Sequence, residues 1–561
     1  MAAIFRHVLP VVFLLLSRAA AQEPVPAASA VVEGSVVNRV TGSPVKRAHV
    51  RAVRIAPQSE PHSEEDTPET GTDTDAGGRF TLRLEPGSYR LWVERPGFME
   101  QNYGALSPNG AGQALALGPG QELHDVAFRI APLGAISGRV LDEDGEPVQG
   151  AGVDVLKFSY ATGRRTLLPV SGVSVNDRGE YRAYNLPPGR YFLLATQRGE
   201  PLQRPIGKGR LIADAQEFYA PMYYPGVTEF TGAAPLLLAE GQDLQNADFR
   251  LQRVGVFTLR GRLSGPAENF AEGQVQVMLA QREGARASNI NRATATIDRS
   301  TGRFEFHRVA PGSYVLVASQ QWRGRAYAGR LAVEVSGSGH PDNLTVTLTQ
   351  PFEITGVLQL EGASPAAMKD TQVNLTESEG LAPGTAPSAQ AGPDGTFRLP
   401  GVTAGLWDLA VAPLPQGAWL KTIEFNGRAV QPDAIDLTAP SPGFLRIVLA
   451  GNGARLSGTV VSDGQGRAGT VVLVPSPEEL RAFPSVYRVA AASEQGSFAI
   501  GGIRPGAYKM FAFDEIEHSA WLDPDFLRTV ESSGEEIVLA EGDDAKRVLT
   551  AISGDLSQPR R

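Results

Sequence analysis

Five ordered copies of one short pattern constrain this 561-residue chain more than any other feature. A strand-like run with a central glycine occurs at Gly34-Ser35-Val36, Gly138-Arg139-Val140, Gly261-Arg262-Leu263, Gly356-Val357-Leu358 and Gly458-Thr459-Val460, at spacings of 104, 123, 95 and 102 residues. Each is followed by a turn and an aromatic strand start: Gly78-Arg79-Phe80, Gly179-Glu180-Tyr181, Gly302-Arg303-Phe304, Gly395-Thr396-Phe397 and Gly496-Ser497-Phe498. A second turn closes the pattern: Pro86-Gly87-Ser88-Tyr89, Pro188-Gly189-Arg190-Tyr191, Pro311-Gly312-Ser313-Tyr314, Ala404-Gly405-Leu406-Trp407 and Pro505-Gly506-Ala507-Tyr508. Repetition of this kind marks an array of like units. Proline presets φ at the second position of a type II turn and glycine accepts positive φ at the third, so Pro-Gly between two apolar runs predicts a hairpin.

The runs alternate with period two. Phe80, Leu82 and Leu84 point one way and Arg79, Thr81 and Arg83 the other; after the turn, Tyr89, Leu91 and Val93 resume the inward face. Trp407, Leu409 and Val411 take the same places in the fourth copy, so Trp407 is expected to stand in the core where the other copies have tyrosine. Further strands at 126–130, 247–251, 344–348, 444–448 and 547–549 close the units. About 100 residues with six or seven short strands and a turn every 8 to 12 residues describe a β-sandwich. The expected fold is all-β: tandem Ig-like or transthyretin-like seven-stranded β-sandwiches behind a signal peptide. The expected boundaries are 1–21 signal peptide, 22–30 linker, 31–132, 133–253, 254–351, 352–452 and 453–552 for the five sandwiches, and 553–561 a polar tail. Units of this size can each bury a core, so the array reads as beads on a string whose spread surface suits multivalent contact.

Composition narrows the chemistry. Gly 62 and Pro 41 make up about 18% of the chain, against roughly 12% in ordinary proteins, which fits turn-rich β structure. The absence of cysteine removes disulfides, thiolate metal sites and thiol nucleophiles. With 52 basic and 61 acidic residues, a net −9 and no basic tract, nucleic acid is not an expected partner. Arg6 and His7 precede an apolar run from Val8 to Leu16, and Ala19-Ala20-Ala21 supplies small residues before Gln22, the form of a cleaved signal peptide. That run is shorter than the roughly 20 residues that span a bilayer, and no later stretch is long enough. The expected location is secreted, periplasmic or cell envelope, with no membrane span and no barrel after the fifth unit.

The second copy carries Ile136-Ser137-Gly138-Arg139-Val140, Asp144-Gly145-Glu146-Pro147-Val148, Ala151-Gly152-Val153-Asp154-Val155, Asp177-Arg178-Gly179-Glu180-Tyr181 and Pro188-Gly189-Arg190-Tyr191. This set resembles the carboxypeptidase regulatory-like domain, a transthyretin-like sandwich close to the starch-binding-like and Cna B-type folds. Copies one, two and five keep the pattern best; copies three and four depart from it at Asp298 and Ala404-Gly405. The resemblance implies a non-catalytic module. Tandem copies in large secreted bacterial proteins imply work at the envelope, in adhesion, in polysaccharide handling or beside outer-membrane transporters.

No catalytic constellation stands out, no enzyme is expected and no cofactor is implied. His62-Ser63-Glu64-Glu65 matches the His-x-x-Glu spacing of a zinc peptidase, yet it lies in a Pro-, Thr- and acid-rich stretch with nothing rigid to hold coordination geometry. His49, His124, His307, His340 and His518 fall in separate places, and there is no His-Glu-x-x-His, Gly-x-Ser-x-Gly or phosphate-loop motif. Asp73-Thr74-Asp75 and Asp142-Glu143-Asp144-Gly145 offer about three carboxylates each, fewer than the six to eight oxygens calcium takes, and read as solvated turns.

Binding is the better prospect. Sugars stack on exposed aromatic faces while nearby polar groups orient them. Tyr219, Tyr223 and Tyr224 lie in Phe218-Tyr219-Ala220-Pro221-Met222-Tyr223-Tyr224-Pro225-Gly226, outside the strand pattern; the segment is either a stacking patch or a loop folded back over its own aromatics. Trp92 alternates opposite Tyr89, Leu91 and Val93, and either offers a face to ligand or covers a junction between units. Trp322, Trp419 and Trp521 follow the second turn at similar distances and are expected at a common end of their units. The expected function is a secreted, non-catalytic binding scaffold whose partner is a polysaccharide. The alternative is a peptide or envelope protein captured by β-strand edge pairing.

Overall fold

The five glycines and the five aromatic strand starts face one another. In a computed structural model, which describes residues 28–55, 69–105, 112–160, 165–197, 217–265, 270–283, 286–336, 343–362, 365–381, 386–433, 435–439, 442–514, 516 and 519–552, the antiparallel register pairs Gly34 with Phe80, Gly138 with Tyr181, Gly261 with Phe304, Gly356 with Phe397 and Gly458 with Phe498. The expected signal peptide and polar tail lie outside these residues.

The strand bearing the glycine runs parallel, on its other side, to the strand that closes the unit: Ala30–Asn38 beside Glu122–Ile130, Phe257–Ser264 beside Leu344–Thr347, Phe352–Glu361 beside Gly443–Ala450, and Ala454–Ser462 beside Asp544–Ile552. In the second unit the closing strand is broken into Asp243–Leu244 and Phe249–Arg250 along Gly134–Leu141. Space at the glycine is taken. A Cβ on Gly356 would lie 2.5 Å from the Leu445 carbonyl oxygen and closer still to the Phe397 ring, and one on Gly34 would meet the Phe80 ring at 2.6 Å. The aromatic residue covers the gap that glycine leaves.

The Pro-Gly turns do not form hairpins. Arg79–Leu84 lies in a sheet with Ala30–Asn38 and Glu122–Ile130, whereas Gly87–Glu94 lies in another sheet beside His49–Arg54; copies two to four repeat the arrangement, and in the fifth the two halves are joined into one sheet where Ala512 and Phe513 pair with Ala551 and Ile552. The turn is a corner that carries the chain across the sandwich. What secures it is a side-chain bond to the first strand's end: Tyr89 Oη donates to Glu85 O at 2.9 Å, Tyr191 to Pro187 O at 2.7 Å, Tyr314 to Ala310 O at 2.8 Å, Trp407 Nε1 to Thr403 O at 2.9 Å, and Tyr508 to Arg504 O at 2.8 Å. Trp407 is 2% exposed, so it replaces tyrosine in both packing and hydrogen bonding. Proline fixes φ ahead of this corner and the Tyr-Gly spacing sets the hydroxyl's reach.

Contacts divide the chain into two compact units, residues 1–96 with 100–130, and 97–99 with 131–561. The first unit holds the first sheet pair. The second holds the other four, each with a core cluster of its own and with contacts between them. Within it, strand Thr166–Ser174 lies alongside Arg286–Thr294. Leu381 inserts among Ala280, Val315, Val317 and Met278, the outer face of the third pair. Gly453 N donates to Gly417 O and Ser485 Oγ to Asp433 Oδ2, joining the fourth pair to the fifth. Asp525 of the fifth pair meets Arg190 of the second at 2.5 Å. Parts of the sheets' outer faces, such as that of Ala280, Val315 and Val317, are covered by neighbours, while others, such as that of Tyr184, stay exposed; alternation within a strand does not tell the two apart.

Two substitutions separate the contributions. Gly356→Val should destabilise the second unit by about 3 kcal/mol through overpacking, and Tyr508→Phe by about 1 kcal/mol through one lost hydrogen bond. Chemical denaturation midpoints measure both; similar costs for the two would contradict the close approach at Gly356.

Candidate functional site

Trp92 stands at the centre of an outward sheet face in the first unit. In strand Gly87–Glu94 burial alternates, with Tyr89, Leu91 and Val93 inside and Trp92 half-buried on the other side. The register across four strands places Gly71, Arg51, Trp92 and Asn102 in one row, Asp73, His49 and Glu94 in a second, and Glu69, Val53, Arg90 and Ala114 in a third. All have the same parity and therefore share the outer face. Arg51 bridges the rows: Nη1 meets Glu69 Oε1 at 2.9 Å and Nη2 meets Glu94 Oε1 at 2.6 Å, while its Nε is buried without a hydrogen-bond partner. His49 Nδ1 and Asp73 Oδ1 are 2.7 Å apart. Because Gly71 has no side chain, the His49 ring can lean across that position; a Cβ there would lie 2.6 Å from Nε2.

The result is an outer face on which an indole stands in register between a guanidinium and an amide, with three carboxylates and an imidazole on the neighbouring positions. A pyranose needs an apolar face to stack on and fixed planar donors and acceptors beside it. Sequence reading named Trp92 and missed Arg51, Glu69, Glu94 and Asn102. Alternation alone would have put Arg51 outward, but only the nonlocal register brings it next to Trp92.

The three tyrosines of the second sheet pair are placed differently. Tyr223 is 1% exposed and packs with Leu156, Phe192 and Leu194, its ring 5.5 Å from Phe230. Tyr224 lies partly buried against the main core, 6.0 Å from the Phe249 ring. Tyr219 Oη donates to Asp142 Oδ2 at 3.2 Å and accepts from Arg253 Nε at 3.0 Å. The segment folds back over its own aromatics, with Tyr223 buried and Tyr219 and Tyr224 partly buried. Trp419 and Trp521 are 5% and 8% exposed, and Trp322 is held between Glu272, at 2.9 Å from Nε1, and the Arg323 guanidinium, so the expected row of exposed indoles at one end does not form. The most exposed aromatic in a strand is one that sequence reading passed over, Tyr184, at 62%.

Among the described residues no group of three or more His, Asp or Glu is arranged to hold a metal ion. His62, His340 and His518 lie outside those residues. His124 meets Glu33 at 3.1 Å and His307 meets Glu305 at 3.6 Å, each on an exposed sheet surface. The acidic turn at Asp142 is consumed structurally: Oδ1 accepts from the Asp144 and Glu146 backbone N–H groups and Oδ2 faces Tyr219 and Arg253. Burial alone would raise this carboxyl; the backbone donors, the tyrosine hydroxyl and the guanidinium outweigh it and hold the pKa below the ordinary aspartate value.

Residues 31–124, which carry the Trp92 face, match the model of the carboxypeptidase regulatory-like domain. No curated protein matches the chain. Among solved structures, a streptococcal ancillary pilin is 11% identical, covering 57% of this chain and 99% of that one, at a TM-score of 0.20. The minor pilin of Streptococcus agalactiae is 10% identical, covering 41% and 98%, at 0.22. The Bacillus anthracis TIE protein is 12% identical, covering 72% and 68%, at 0.15. Similarity at this level says nothing about this chain's role.

The lowered pKa of Asp142 has a testable sign. Its contribution to stability is present above the unfolded value near 3.8 and is lost as pH falls through the folded one. Asp142→Asn should therefore lower the melting temperature at neutral pH, and the gap to the parent should close as pH falls below the unfolded value and through the lowered folded one. A gap that is constant with pH would contradict the assignment.

Proposed function

We propose that the chain is an exported, non-catalytic binding scaffold of the cell envelope, and that it holds a polysaccharide on the outer face of its first sheet pair. The observation that carries this reading is the row Arg51-Trp92-Asn102, in which a half-buried indole stands between an amide and a guanidinium held in place by Glu69 and Glu94. Preorganisation matters because a sugar must exchange its water shell for protein hydrogen bonds at little further ordering cost. The matched family domain supports a binding or structural role for this unit. Among the described residues no helix is long and apolar enough to cross a membrane.

Edge pairing remains the second reading, favoured by strand Glu69–Asp73. It pairs with His49–Arg54 on one side, has no described partner on the other, and is exposed along most of its length. A peptide added there would lie beside the same face and use main-chain hydrogen bonds.

Pull-down of the mature protein on envelope polysaccharides distinguishes the two. Trp92→Ala should weaken retention at least tenfold, about 1.4 kcal/mol, while Tyr223→Phe leaves it unchanged. Retention indifferent to Trp92→Ala removes the sugar reading. Capture of an envelope protein that is equally indifferent favours the edge.

A further inference from the structure

The four sheet pairs of the second unit touch in a closed circuit, second to third, third to fourth, fourth to fifth and fifth back to second. These seams differ in kind. Between the third and fourth pairs, Leu381 fills an apolar hole, and Glu379, its side chain 0% exposed, meets Arg330 at 2.5 Å. Arg292 adds hydrogen bonds to the Glu379 and Gly380 carbonyls. The Glu379 side chain and Leu381 are buried there, while Arg292 stays exposed at the margin.

The seam between the fifth and second pairs is polar and half-open. The fifth pair carries an excursion, 514–534, that contains the helix Pro524–Val530. Phe526, Leu527 and Val530 of that helix pack down with Trp521, Phe511 and Phe513 into the fifth pair's own second core. Asp523 caps the helix, its side chain accepting from Asp525 N at 2.8 Å, and Pro524 starts it. That leaves the Asp525 carboxylate, which also pairs with Arg528, to reach the second pair. There, Arg190 Nη2 meets it at 2.5 Å and Arg165 Nη2 at 3.8 Å. Both arginines stand on an aromatic bed: the Arg165 guanidinium lies 3.7 Å from the centre of the Phe158 ring, Arg190 lies 5.7 Å from Phe192, and Phe158, Phe192 and Phe230 pack edge to face. The bed includes Tyr223, which accounts for the second unit's long aromatic excursion.

We propose that Asp525, clamped by Arg165 and Arg190, is a releasable latch that closes the circuit of four sheet pairs. The side chains of Asp525 and Arg190 are each 27% exposed and that of Arg165 37%, so salt reaches this seam, whereas the Glu379 seam is shielded. Tyr160 of the second pair, 7% exposed, also lies against Asp523 at this seam; the apolar clusters on either side each close within their own pair. When the carboxylate is lost, the circuit opens at this seam and the other three hold.

The chain has no cysteine, so nitroxide labels can be placed cleanly at the exposed Arg178→Cys and Glu494→Cys, one on each side of the seam. Pulsed electron paramagnetic resonance should give one narrow distance population at low salt. Asp525→Arg should add a longer, broader population, and combining it with Arg190→Asp should restore the narrow one. Raising NaCl to about 1 M should reproduce the broadening in the chain with Asp525 intact, a measurement that does not depend on how the variant folds. A narrow distribution that survives both Asp525→Arg and high salt overturns the latch. So does a charge-swapped chain that stays as broad as the single variant.

Discussion

A glycine opposite an aromatic ring, between one antiparallel and one parallel neighbour, is the constraint on which the rest of the structure depends. The parallel closing strand brings a carbonyl so near to Gly34, Gly261, Gly356 and Gly458 that no side chain fits, and the ring across the strand seals the vacancy. The aromatic strand then leaves for the facing sheet through the Pro-Gly corner, which the tyrosine hydroxyl ties down. Glycine, aromatic, proline and tyrosine thus appear in a fixed order because each one positions the next. Their repetition five times reports five sandwich frames and carries no chemistry.

Function falls to what the frames leave outside. In the second unit, outer faces are covered in part by neighbouring pairs, and several residues that would attract attention as reactive or ligand-binding are spent on structure: Asp142 with Tyr219 and Arg253 within the second pair, Glu379 with Arg330 between the third and fourth, Asp525 with Arg190 between the fifth and second. A buried ion such as Glu379 is costly to bring out of water, and its pairing fixes which surfaces meet more than it adds stability. The first unit keeps a face with an indole and an ordered set of polar groups.

Much of the fold was legible in the sequence. Alternation located Phe80, Leu82, Leu84, Tyr89, Leu91 and Val93 in the core, and the shared spacing placed Trp407 where tyrosine stands elsewhere. The turn signal misled about pairing because Pro-Gly serves a hairpin and a sheet-to-sheet corner equally well; only the partner strands, far away in the chain, decide between them. Trp92 was visible by parity, but Arg51 and Asn102 join it through register. The aromatic run at 218–226 read equally as a platform or as a folded loop, since composition is the same for both. Its burial follows from the sheet face beneath it, with Phe158 and Phe192 already exposed to receive it. Nothing local in Asp525 or Arg190 announces a contact between units more than 300 residues apart, a separation plain from their numbers.

Hydroxyl-radical footprinting of the mature chain, with and without bound envelope polysaccharide, tests the central claim most directly because it reads side chains one at a time. The account predicts that oxidation of Trp92 falls sharply on binding while Tyr184, far more exposed, is oxidised at its original rate. Retained polysaccharide with Trp92 oxidised as fast as before would contradict it.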